Sequence, residues 1–162
     1  VAPACTALAA ACQADIDAEG GIPGRNPEDL LEVLTLLTWS ARALAESDHP
    51  VPPAVDAAIA RIAPSLRTLR HSDGGLARFH GGDRGLEGRL DQALAAAGAR
   101  PGVAQAVAMG FARLAGRRTS VIVDASPPPG GRAAATGHAS TAAFELTSGR
   151  RPLIVSCGSG AT

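Results

Sequence analysis

Three stretches hold the residues capable of chemistry. The segment "RHSDGGLARFHGGDR", residues 70–84, gathers His71 and His80, two aspartates and four glycines. Histidine near neutrality shuttles protons or ligates metal, and glycine lets backbone approach a ligand closely. His71 and His80 are therefore candidate substrate contacts. The plainer reading is a polar inter-helix loop whose glycines serve turns. The segment "GGIPGRNP", residues 20–27, presents Arg25 and Asn26 just before a helix. Arginine grips a carboxylate with a two-pronged fork and asparagine with its amide. The plainer alternative leaves Asn26 as a helix cap and Arg25 in solvent. The third place is His138 in "TGHAST", at a loop–strand junction, where histidine is more often a surface residue. No HExxH or CxxC spacing is present, so no metal and no cofactor is expected. "GGDRG" and "GGIPG" imitate phosphate loops, but neither follows a strand and opens a helix as such loops must.

These residues need elements to hold them. "VAPACTALAAACQADIDAE" is helix-forming up to Gly20-Gly21. In the next segment Asn26 is an N-cap, Pro27 fits the first helical position, and Glu28 and Asp29 suit the positive helix end. Leu30, Leu34, Leu37, Ala41 and Leu44 recur at helical spacing, with Val33 and Leu36 widening the stripe, which predicts a largely buried helix over about 27–46. A second helix, about 53–70, places Val55, Ile59, Ile62, Leu66 and Leu69 on one face. Pro64 should kink or divide it. The two would form an antiparallel pair, and a weaker helix runs from about Leu86 to Ala97. After Pro101 the period changes. "GFARLAGRRTSVIVDAS" and "TAAFELTSGRRPLIVSC" each read as a β-hairpin, near 109–124 and 141–157, turning at AGRR and SGRR. Between them "PPPGGRAAATG" is too rich in Pro and Gly to be regular. The expectation is α+β, helical hairpins over 1–100 and antiparallel strands over 101–162.

Composition narrows the function classes. The 162 residues carry 15 basic and 15 acidic side chains, so no general field attracts nucleic acid or an anionic membrane. Every basic residue is arginine, and the chain has neither lysine nor tyrosine. Cys5 and Cys12 lie two helical turns apart, too far for an unstrained disulfide within a helix; with Cys157 they read as small core residues. No apolar run is long enough to span a bilayer. The opening Val1, without a preceding Met, reads as a processed or excised piece or as a sequence without its start, and a helix continuing from upstream is the expectation.

The succession "GGIPGRNPEDLLEVLTLL", "RIAPSLRTLRHSDGGLARFHGG", "GFARLAGRRTSVIVDASPPP" and "GHASTAAFELTSGRRPLIVSCG" resembles the heparinase II/III-like family, in particular its proteobacterial branch. The resemblance covers nearly the whole chain. It implies the last helices of an (α/α) toroid followed by the first antiparallel strands of a β-sandwich, with an acidic polysaccharide bound between them. The implied chemistry is β-elimination of uronic-acid-containing glycans: a base removes the proton beside the carboxylate, an acid protonates the leaving oxygen, and a neutraliser holds the carboxylate. Carried over, Arg25 or Asn26 would neutralise, and His138 would transfer protons, making His138 and Asn26 the catalytic candidates and Arg25 a substrate-binding one. His80 and His71 join it as substrate-binding candidates on the strength of their own loop rather than the resemblance. Two departures stand out. Phe111 occupies the place of a tyrosine in "GYxRL", and Ile22-Pro23-Gly24 replaces a histidine-bearing phrase.

Three functions follow: part of a polysaccharide lyase, a non-catalytic glycan-binding or scaffold relative, or an interaction module completed by another chain. A lyase would be periplasmic or secreted, with a cytoplasmic setting left open otherwise. With two hairpins too few to close a sandwich, apolar strand faces carrying Val121, Val123, Phe144, Leu146 and Ile154 are expected to lack partners, so the piece should oligomerise, aggregate or join the remainder of its protein.

Overall fold

The computed structural model describes residues 1–98 and 105–157; the expected change of period at residues 100–101 lies outside them. Four helices precede a five-stranded antiparallel sheet, an α+β arrangement as expected. The helices are α1 (Ala2–Asp15), α2 (Pro27–Glu46), α3 (Pro53–Thr68) and α4 (Arg89–Ala96). The strands are β1 (Val107–Ala108), β2 (Phe111–Ala115), β3 (Thr119–Asp124), β4 (Phe144–Ser148) and β5 (Arg151–Ile154).

Helix α2 starts where its capping chemistry dictates. Asn26 Oδ1 accepts hydrogen bonds from the Glu28 and Asp29 backbone N–H groups at 2.9 and 3.3 Å, while Glu28 and Asp29 complement the helix dipole. Its Leu30, Leu31, Leu34 and Leu37 pack on Val55, Ala58, Ile59, Ile62 and Leu66 of α3 in one core. Leu36, expected in the stripe, is instead half-exposed, because it falls on the face turned away from α3. Helix α3 runs as one helix through Pro64, so of the expected kink or division the division does not occur. Helix α1 stops at Asp15, five residues short of the expected glycine pair. Ile16 turns extended to bury its side chain, and Asp17 Oδ1 then accepts from the Glu19 and Gly21 N–H groups, closing a turn that competes with further helix. The Pro/Gly-rich loop also departs from expectation, since Gly131–Ala135 forms a 3-10 turn. Of the cysteines Cys12 is buried, Cys5 half-buried and Cys157 exposed, so only the first is a core residue.

The strands pair in sequence order, each antiparallel to the next. Phe111 lies opposite Asp124, Ile122 opposite Glu145, and Ser120 opposite Thr147. Because side chains alternate, one face carries Phe111, Ile122, Asp124, Glu145 and Thr147, all buried on the helical layer. Met109, Phe111 and Ile122 belong to the same apolar cluster as the helix leucines. The sheet also caps α3: Arg113 Nη1 donates to the Thr68 and Arg70 carbonyls at 3.0 and 2.6 Å, where the helix dipole leaves negative charge. No helix is long and apolar enough to cross a membrane among the described residues.

Candidate functional site

The α1–α2 loop delivers Arg25 into the seam between helices and sheet. The residue sits at φ +52°, a left-handed conformation that costs a non-glycine residue energy and needs compensation. Compensation is plentiful. Nε donates to Met109 O at 2.9 Å, Nη1 to Pro127 O at 2.7 Å and Nη2 to Gly110 O at 3.3 Å, and Nη2 also forms an ion pair with Asp124 Oδ1. The guanidinium carbon lies 4.7 Å from the Phe111 ring centroid, a cation–π contact. Gly110 makes room for this: at φ +78°, a Cβ there would fall 2.5 Å from Ser126 Oγ and 3.0 Å from Arg25 Nε.

Asp124 is the hub. Oδ1 takes Arg25 and, at 3.3 Å, the Ser126 N–H; Oδ2 accepts from Ser140 Oγ at 2.7 Å. Burial alone would raise its pKa, but the hydrogen bonds from Arg25, Ser140 and Ser126 outweigh that and hold the carboxyl below its ordinary value. On its other side His80 Nε2 stands 3.3 Å from Oδ2, close enough for attraction but without a well-directed hydrogen bond. His80 Nδ1 accepts the His138 backbone N–H at 3.1 Å, so the neutral ring carries its proton on Nε2, facing Asp124. Burial, then the Arg25 charge, push the His80 pKa down, against the opposing pull of Asp124. Its ring centroid lies 6.4 Å from that of His138, which is only half-buried.

A second polar contact forms deeper along the sheet. His71 Nε2 and Glu145 Oε2 are 2.6 Å apart, both almost fully buried, and Glu145 also accepts the Arg78 and Ser156 N–H groups at 3.3 and 2.8 Å. His71 Nδ1 has no partner among the described residues, and the residue lines a cavity of about 910 Å³.

Of the five residues singled out by sequence, the fold brings Arg25, His80 and His138 around Asp124. Asn26 sits beside them with its carbonyl oxygen committed to the α2 cap, and the Gly82 backbone packs against it. His71 stands apart with Glu145. Arg25 is buried, unlike the solvated alternative. Sequence reasoning missed Asp124 and Glu145. Their signal was the alternation in "SVIVD" and "FELT", which puts a carboxylate on the same face as Ile122 or Thr147. No group of three metal-ligating side chains occurs among the described residues.

A helical layer and an antiparallel sheet, joined by a buried Arg–Asp–His cluster in their seam, define a two-part α+β unit. Residues 98–162 match the family described as "Heparinase II/III-like, C-terminal", the family that the sequence resembles. The chain is also similar to FtsZ-localized protein C of Caulobacter vibrioides (strain NA1000 / CB15N), 36% identical over 141 residues. That match takes in 86% of this chain but 24% of the relative, so the chain spans about a quarter of that protein's length. No solved structure matches.

Proposed function

We propose that the chain is part of a heparinase II/III-like protein that binds or scaffolds without cleaving glycan, in association with an assembly containing FtsZ. The observation carrying this reading is the saturation of Arg25. Its guanidinium is spent on three backbone carbonyls and Asp124, leaving little capacity for a substrate carboxylate. Asn26 spends its carbonyl on a cap, His80 is buried, and no tyrosine exists in the chain to serve as base. The relative's name supports the partner. The apolar outer face of the sheet supports a β-sandwich completed by further strands, with α1–α4 as turns of a toroid.

A second reading is a fragment of a lyase acting on an acidic polysaccharide. It is favoured by the gathering of Arg25, Asn26, His80 and His138 at one seam, with His138 half-exposed and available to a substrate. The test is made on full-length protein: release of ultraviolet-absorbing unsaturated product from a panel of uronic-acid glycans, alongside co-sedimentation with FtsZ polymers. Sedimentation without product is the expected result. Product release would replace the scaffold reading with the lyase, and failure in both assays would refute each.

A further inference from the structure

We propose that the arginine-rich end of the sheet is a binding site for a phosphomonoester, a site independent of the Arg25 cluster and of the function proposed above. The two hairpin turns repeat Gly-Arg-Arg, at 116–118 and 149–151, and pairing brings both to the same end. The Gly149 N–H donates to Arg118 O at 2.5 Å, fastening one turn to the other. Between them lies a cavity of about 310 Å³ lined by Arg113, Arg117, Arg118 and Arg150, with the hydroxyl residues Ser72 and Thr119, and no carboxylate lines it.

This concentration is unusual within a chain of zero net charge. Arg25, Arg42, Arg70, Arg78, Arg84 and Arg89 all have carboxylate partners. Among the described residues, Arg117, Arg118, Arg150 and Arg151 form no ion pair. Like charges held together by backbone pairing repel, so the arrangement favours an anion that neutralises more than one of them. A phosphomonoester carries close to two negative charges and three acceptor oxygens, whereas a carboxylate or sulfate ester offers one charge. Arginines from both turns line this one cavity, which suits a tetrahedral oxyanion approached from more than one side.

The small cavity shares Ser72, Arg113 and Arg150 with the larger one of about 910 Å³. That space is lined by Leu31, Leu90 and buried His71, whose Nδ1 has no partner among the described residues, and by Asp73, Glu87 and Asp91, whose carboxylates can accept from hydroxyl groups of a ligand whose phosphate sits among the arginines. The ligand class is thus a phosphorylated small molecule carrying hydroxyl groups.

Titration calorimetry of the full-length protein tests this with inorganic phosphate, glycerol phosphate and the corresponding sulfate ester. Glycerol phosphate should bind more tightly than inorganic phosphate and than the sulfate ester. Arg118→Ala and Arg150→Ala, both exposed turn residues, should each weaken it about tenfold. Arg150→Lys should recover part of the loss through charge alone. Arg132→Ala, an exposed arginine outside these cavities, should leave affinity unchanged. Absence of binding at millimolar concentration, equal affinity for the sulfate ester, no gain over inorganic phosphate, or equal affinities in the Arg118→Ala and Arg132→Ala proteins would overturn the proposal.

Discussion

Removing Arg25 should loosen the seam between helices and sheet far more than removing a surface arginine. Arg25→Ala leaves Asp124, about 1% exposed, as a buried carboxylate without its cation, and strips donors from the Met109, Gly110 and Pro127 carbonyls. Breaking one side of a buried pair costs about 3–5 kcal/mol. At roughly 2–4 °C per kcal/mol for a domain of this size, the melting temperature should fall by about 6–20 °C. Backbone conformation supplies an internal control. Arg25 sits at φ +52°, where alanine keeps the strain and glycine does not. Arg25→Gly should therefore be milder than Arg25→Ala by about 1 kcal/mol, the reverse of the usual order. A double-mutant cycle with Asp124→Asn isolates the pair: Asp124→Asn should cost much less in the Arg25→Ala background than in wild type. Urea denaturation followed by circular dichroism reads all five proteins. A loss below about 1 kcal/mol for Arg25→Ala, the size of an exposed ion pair, would refute the clamp.

Gly20→Ala should destabilise by about 3 kcal/mol, since φ is +80° and the new Cβ would fall 2.2 Å from Arg61 O of α3; an unchanged denaturation midpoint would show that the α1–α2 loop does not pack as described. Acid should weaken the fold in two windows. His80, whose folded pKa is lowered, favours its neutral form, so its contribution is present above the ordinary value of 6.5 and is lost as pH falls through the folded pKa. Asp124, also lowered, contributes above 3.8 and loses that contribution further into acid. His80→Gln should flatten the first window in a pH series of unfolding free energies, and an unaltered slope would remove His80 from it. Phe144→Asp and Leu114→Asp on the outer sheet face should reduce self-association of the isolated chain in light scattering without lowering its melting temperature; a monodisperse wild-type monomer would contradict that exposed face as an interface.

The helical part was legible because its signals are local. Asn26-Pro27-Glu28-Asp29 specifies a helix start within four residues, and the leucine spacing of α2 and the apolar face of α3 need no knowledge of the partner. The hairpins were legible for the same reason, through β-branched runs around Gly-Arg-Arg. What failed was decided by tertiary contacts. Alanine-rich sequence gives no reason to stop α1 at Asp15; burial of Ile16 and the turn at Asp17 do. Arg25 could be named as an anion binder, but its anion, Asp124, lies 99 positions away, and nothing local to either residue announces the pairing. His71 was visible as a histidine while its partner Glu145 was hidden inside a strand.

The two sheet faces explain both the buried cluster and the exposed apolar rows. An antiparallel sheet backed by helices on one side usually turns apolar residues inward and polar ones to water. Here the inward face mixes Phe111 and Ile122 with Arg113, Ser120, Asp124, Glu145 and Thr147, each satisfied by a specific bond to the helical layer or a neighbouring strand. The outward face carries two apolar rows across the pairing: Val107, Ala112, Val123 and Phe144, then Leu114, Val121, Leu146 and Ile154. Val107, Leu114, Phe144 and Ile154 are all more than 40% exposed. Burial of apolar area is the non-directional term that holds layers together, whereas buried polar bonds are worth little net and are costly to leave half-made. A sheet arranged this way is fastened to its helices by a few directional contacts and keeps much of its apolar area for something else. That division of labour makes Arg25 and Glu145 matter more to the orientation of the sheet than their number suggests. It also makes the outer face the place where the largest remaining stabilisation, about 25 cal/mol for each Å² covered, is still to be gained.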